Sequence, residues 1–280
     1  MPLLQKNTLF QLIPLVLAFF FLYQKAIQEL IYDWSVNPNF SHGFLIPAVA
    51  LYMVWYKKNE LAQVAVDPAK TGLLVILFGM LVHFIGNVGS ELFLMRFSMI
   101  ITLAGIITYY AGYRMLWHLI VPVAYLIMMI PIPAILWNKI AFPLQLFAAK
   151  ISAAAISMLS IPVFREGNIL HLANTSLEVV DACSGIRSLT SLLALTGVFA
   201  FLAPVSRVKK WVLFFSAIPI AVAVNVIRLT ITGGMAAWIG PETAHGFLHD
   251  MSGLIIFGAA LVLVYIVFII EMKIEKFQKR

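Results

Sequence analysis

Charge is scarce in this chain: Asp, Glu, Lys and Arg make up 11% of its 280 residues, against 62% hydrophobic ones. A water-soluble globule of this length needs more polar surface than that, so a bilayer must serve as solvent for most of it. Cysteine is scarcer still, with Cys183 alone, which excludes an internal disulfide and any multi-cysteine metal site. Tandem repeats, low-complexity segments and a linker to a soluble domain are all missing. The net charge is +7, but Lys and Arg sit at the ends of apolar runs instead of forming a stripe interleaved with aromatics, which excludes a nucleic-acid groove.

Long apolar runs are what the chain has in abundance. A spanning helix takes about 20 mostly apolar residues, and runs of this kind fall at 8–31, 43–56, 71–89, 93–112, 115–132, 183–203, 211–238 and 251–271. The expected fold is an all-α integral membrane protein of about eight transmembrane helices, a single polytopic domain over 1–280. The first run is longer than a signal-peptide core and lacks a small-x-small cleavage site after it, so it reads as an uncleaved span.

Sidedness follows from the cations. Lys6, Lys57, Lys58, Lys70, Arg114, Arg207, Lys209, Lys210 and the basic tail from Lys273 fall in alternate breaks, which the positive-inside rule places in the cytoplasm. The cation-poor segments at 32–42, 86–92, 131–182 and 239–250 then face outward. Counting 134–161 as a further span would put the cations at 207–210 outside. Its Asn138, Gln145 and Ser152 also recur every seven residues, so it reads as an outer interfacial helix. Alternating residues about the turn Arg165-Glu166-Gly167-Asn168 predict a small extracytoplasmic hairpin over 163–180.

The polar residues that can carry chemistry collect on the outward side. Asp181-Ala-Cys183-Ser184-Gly185-Ile-Arg187-Ser188 immediately precedes an apolar run, so Cys183 falls near a helix N-terminus. The unpaired N–H groups and positive dipole end there favour a thiolate, as does Arg187 one turn on. The plainer reading of Cys183 is a small apolar filler. Asn225-Val-Ile-Arg228 lies inside the apolar run 211–238. An arginine at bilayer depth costs at least ~2.5 kcal/mol and needs a polar cavity or partner, whether that partner is functional or a carboxylate that holds helices together.

His245-Gly-Phe-Leu-His249 stands before the last run and supplies imidazoles suited to proton transfer near neutral pH. Two histidines four apart resemble half of a zinc site, but Gly246 stands where the metalloprotease glutamate belongs, so neither metal nor cofactor is expected. Ser41-His42-Gly43 opens the second run and either lines the same cavity or starts a helix. His83 and Arg96, inside apolar runs, are expected to pair or to snorkel.

Taken together, Asn39-Phe40-Ser41-His42-Gly43, Asp181 to Ser188, Asn225 to Arg228 and His249 to Gly253 resemble the exosortase and archaeosortase family of polytopic membrane enzymes. The resemblance implies a transpeptidase of bacterial inner membranes, active site toward the periplasm, found with exopolysaccharide production. Its substrates would be proteins ending in a PEP-CTERM-type signal: a short Pro-Glu-Pro motif, a membrane helix and a basic tail. It implies Cys183 as the acyl-thioester nucleophile, Arg228 as the family's arginine and His249 as the third member. Histidine at that third place points to the bacterial branch.

An arginine holds its proton to pKa values above ~12. Arg228 is therefore better suited to stabilising thiolate or oxyanion, with His249 as acid and base and His245 as the fallback. Asn225, Arg187, Ser184, Asp181 and His42 stand as supporting or substrate-binding residues. The acceptor would be a lipid or glycan headgroup, with membrane lipids as surroundings. Two rivals are a transporter or flippase built on Arg228, Arg96 and His83, and an intramembrane metalloprotease built on His245 and His249.

Overall fold

A computed structural model describes residues 6–178, 186–240 and 247–278, with side chains described outside 6–12, 186–188, 247–252 and 278. The elements run α1 Lys6–Val36, α2 Leu45–Tyr56, a single turn α3 Lys58–Leu61, α4 Gly72–Val88, α5 Leu92–Tyr125 and α6 Ala134–Met158. Three strands follow, β1 Val163–Glu166, β2 Ile169–Leu172 and β3 Ser176–Glu178. Then come α7 Ile186–Leu202, α8 Arg207–Trp238 and α9 Phe247–Gln278.

Five helical stretches are long and apolar enough to cross a membrane: Ile13–Val36, Leu92–Met129, Ala134–Met158, Arg207–Trp238 and Gly253–Phe277. Ser41–Tyr56, Gly72–Val88 and Leu189–Leu202 are shorter and also apolar. The architecture is that of a multi-pass, helical membrane protein. Packing divides it into two compact units, Met1–Ile132 and Pro133–Arg280.

In the first unit, helix contact is set by glycine. Gly72, Gly79 and Gly86 recur every seven residues on α4, nearly two turns apart, and all are buried. A β-carbon at these positions would collide in turn with Tyr109, Thr102 and Met95 of α5, whose descending order shows that the helices run antiparallel. In lipid there is little hydrophobic drive between helices, so close approach through small residues supplies the packing.

Helix α5 does not run straight. Gly112, at φ 86° and ψ 174°, is the non-helical residue inside it. Without the break, residues 96 and 129 would lie about 50 Å apart. Instead Arg96 Nη2 is 2.7 Å from Asp33 Oδ2, and Trp34 Nε1 donates to Met129 O at 2.9 Å. Both ends of the helical stretch thus return to adjacent residues of α1, so the legs on either side of Gly112 fold back on one another. The predicted spans 93–112 and 115–132 are these two legs.

Arg96 is 2% exposed, and the expectation that it pairs is met by Asp33. Close by, Tyr23 and Thr102 share a hydroxyl bond of 2.8 Å, Ser98 donates to Tyr23 Oη at 3.3 Å, and the Tyr23 ring stands edge-on to His83 at 4.7 Å. Asp33→Ala should leave a buried guanidinium without its counter-charge and cost about 3 kcal/mol, lowering the unfolding temperature in detergent by several degrees. Asp33→Ala combined with Arg96→Met should restore most of the loss. A double variant as unstable as the single one would show that the charge pair is not the cause.

In the second unit α8 packs against α6, α7 and α9. Leu192, Leu213, Ala217, Val224, Ala260 and Val264 form a buried cluster among α7, α8 and α9. Rings of Phe199 and Phe268 meet at 6.4 Å, Lys209 Nζ lies 2.9 Å from Glu275 Oε2, and Lys210 Nζ donates to Phe201 O at 2.9 Å. These contacts gather the end of α7, the start of α8 and the end of α9. The start of α7, the end of α8 and the start of α9 therefore lie toward the opposite end of the unit.

Helix α6 departs from its expected role. Of the polar stripe read as facing the headgroup plane, Gln145 is 8% and Ser152 0% exposed, and Ser152 Oγ reaches Val226 O of α8 at 3.5 Å; Asn138 alone is exposed. A seven-residue period marks one helix face but not what that face meets. At 25 residues α6 is also long enough to cross a membrane.

After α6 the chain forms an antiparallel sheet in the order β1-β2-β3, a third strand beyond the expected hairpin. Gly167, at φ 62°, makes the first turn, and Arg165 Nη1 donates to its carbonyl at 2.8 Å. Leu170, Leu172 and Leu177 face inward onto Ile156, Leu229 and Ala236, the alternation that a half-buried sheet demands. On the outer face His171 bridges Ser176 Oγ at 2.9 Å and Glu166 Oε2 at 3.3 Å.

Candidate functional site

Helix α8 carries two of the candidate residues whose side chains are described, Asn225 and Arg228; His42 is the third. Asn225 is 4% exposed, and Arg228 follows it by three positions on the same side of the helix. The Arg228 guanidinium rests on α9 at Gly253. A β-carbon at that glycine would sit 3.7 Å from Nη2, 3.8 Å from Cζ and 3.9 Å from Nη1. Three nearly equal distances mean that the flat face of the guanidinium, not its edge, covers the glycine. Its N–H groups lie in that plane and are directed sideways along the helix surface.

Gly253 comes one helical turn after position 249 in α9. The position assigned to the third member of the set and the residue under the guanidinium thus belong to neighbouring turns of one helix. Strand β3 approaches α8 close to the same level. A β-carbon at Gly233 would meet Ile156 Cδ1 at 2.7 Å and Leu177 Cδ1 at 3.5 Å. Gly233 lies five residues, about 7.5 Å along the axis, beyond Arg228.

Cys183, Ser184, Asp181 and His245 lie outside the described residues. Arg187 and His249 stand within α7 and α9, but their side chains lie outside them too. The elements that bracket these residues, β3, the first turn of α7 and the first turn of α9, run toward the end of the second unit where Arg228 meets Gly253. His42 belongs to the first unit, in the 3-10 turn Ser41–Phe44. Its ring lies beside the backbone of Asn39 and Met128, and the Trp34 indole covers Gly43 so closely that no β-carbon fits there.

Two features escaped the reading of the sequence. Gly253 was given no role there beyond closing the His249 motif, and it serves as the floor under Arg228. The Glu166-His171-Ser176 row was hidden because its members come from three strands and become neighbours only through the register Phe164↔His171↔Ser176. Among the described residues no three His, Cys, Asp or Glu side chains are grouped to hold a metal ion.

Comparison with curated proteins and with solved structures gave no match. Among protein families, the one described as transmembrane exosortase matches residues 34–266, a stretch that runs through both units and includes every candidate residue.

Proposed function

The chain belongs to the transmembrane exosortase family, and from that premise we propose that it is a cysteine transpeptidase of the bacterial inner membrane. It cleaves C-terminal PEP-CTERM-type sorting signals on the periplasmic side and passes the protein to a cell-surface acceptor. The observation that carries this reading is the guanidinium of Arg228 laid flat on Gly253, which fixes a permanent cation beside the first turns of the helix that bears His249.

The substrate's own membrane helix enters sideways from the lipid and presents its scissile peptide at the outer interface. His249 takes the Cys183 proton, and the thiolate attacks the carbonyl carbon. Arg228, with backbone N–H groups at the start of α7, stabilises the oxyanion; preorganised donors of this kind are worth about 3 kcal/mol each. The protonated His249 then gives its proton to the leaving amine as the C–N bond breaks, and a thioester remains on Cys183. An amine or hydroxyl of a lipid or glycan headgroup resolves it and returns a proton to His249. Asn225, Arg187, Ser184 and Asp181 support the substrate and the charges around it.

The transporter reading loses one of its three residues, since Arg96 is already bound to Asp33. The thioester itself can be tested with hydroxylamine, which attacks it faster than alcohols do. Cells processing a tagged sorting-signal protein in its presence should yield a C-terminal hydroxamate, found by mass spectrometry of the new end. Continued processing at saturating hydroxylamine with no hydroxamate would contradict a thioester.

A further inference from the structure

The first unit carries a groove of about 850 Å³ at its other end, away from Asp33 and Trp34, where α5 turns at Gly112. The turn creates it. The connection from α3 to α4 is strapped across the break by Asp67 N to Ala111 O at 3.3 Å and Ala69 N to Thr108 O at 3.2 Å. The second leg of α5 then leaves at a new angle, and space opens between it and residues 60–65.

Along that leg the groove is graded. Arg114 lies nearest the turn, Trp117 follows about one helical turn on, and Ile120 continues the wall toward the apolar part of the helix; Trp117 and Ile120 are 68% and 41% exposed. Arg114 is exposed and, among the described residues, has no carboxylate within 4 Å. His118 Nδ1 donates to Arg114 O at 2.8 Å, which ties that ring to the backbone of its own leg. Tyr113 Oη donates to Thr71 Oγ1 at 2.9 Å and so holds its ring at the rim.

Glu60, on the facing wall, is the one carboxylate among the lining residues, and Lys57 Nζ lies 3.7 Å from it. Over the stretch 57–70 that leads into and out of the facing wall, Lys57, Lys58 and Lys70 outnumber Glu60 and Asp67, and Arg114 adds a further cation from the groove wall, so the local charge is positive. An occupant therefore needs an anionic head and a long apolar body.

We infer that this groove binds one anionic phospholipid, its headgroup phosphate on Arg114 and an acyl chain along Trp117 and Ile120. A juxtamembrane cation strengthens attraction to anionic lipid by about fivefold. Trp at such a boundary places an apolar ring in the acyl region with its N–H toward the headgroups. The proposal depends on the membrane placement of the first unit and not on the chemistry assigned to Cys183.

The test is native mass spectrometry of the full chain released from detergent, titrated with phosphatidylglycerol or with phosphatidylcholine of the same acyl chains. One phosphatidylglycerol should bind about fivefold more tightly than phosphatidylcholine. Arg114→Gln should remove that preference while leaving phosphatidylcholine binding unchanged, and Arg114→Lys should keep it. Trp117→Ala, a change at an exposed position that leaves the charge intact, should weaken both lipids. Equal binding of the two lipids, or a preference that persists in Arg114→Gln, would overturn the site. Displacement of the lipid by glycerol phosphate at equal concentration would overturn the lipid assignment, since the groove would then recognise soluble phosphate.

Discussion

Cys183→Ala is expected to leave a sorting-signal protein at its precursor length on a blot, with the enzyme itself still accumulating in the membrane. In the proposed mechanism Cys183 is the nucleophile, so its loss removes the acyl intermediate, and neither Arg228 nor His249 can substitute for a bond that no longer forms. Arg228→Ala should reduce processing by about 10²–10³, the range for losing one preorganised donor to an oxyanion. Arg228→Lys should recover only part of this. The lysine ammonium keeps the charge but has no plane to lie on Gly253 and cannot aim several N–H groups sideways from one position. His249→Ala should likewise leave precursor, because the leaving amine then lacks its proton source. Ordinary processing in Cys183→Ala would rule out the mechanism, whatever the other variants do.

Gly112→Ala should sharply lower the amount of folded protein. The residue's φ of 86° and ψ of 174° belong to a region populated almost only by glycine, which costs other residues about 1–3 kcal/mol. A β-carbon there would also run into the carbonyl of Asp67. The strap would have to lift, giving up its bonds to Ala111 and Thr108 and loosening the turn between the two legs of α5. Gly258→Ala is the matched control, because nothing lies within 4 Å of a β-carbon at that helical position. It should be neutral or slightly stabilising, as alanine usually is in a helix. Detergent gel filtration of fluorescent fusions should show a monodisperse peak for Gly258→Ala and a diminished or aggregated one for Gly112→Ala. Equal peaks would mean that the turn does not depend on glycine.

Some features were legible because one local property specified each. The apolar runs gave helices close to their expected bounds at α2, α4, α7 and α8, since run length alone decides whether a helix can be hidden in lipid. Alternation about Gly167 gave the first two strands. The need of a buried cation for a counter-charge predicted that Arg96 would pair, though not that Asp33 would answer it from 63 positions away.

Other features were illegible for equally physical reasons. Gln145 and Ser152 read as an outward stripe because period identifies a face and leaves its partner open; contact with α8 turned that face inward. Third strand β3 is three residues long, too short for its alternation to stand out.

By itself the sequence determined the solvent of this protein, the extent of its apolar helices, and which few polar residues are costly enough in lipid to demand a role. Those are properties of composition and short-range order, where each residue answers to its own transfer energy. The fold-back at Gly112, the choice of Asp33 for Arg96 and the seat of Arg228 on Gly253 were decided only in three dimensions. Each depends on two segments distant in the chain meeting at van der Waals range, and no single segment encodes where its neighbour will be.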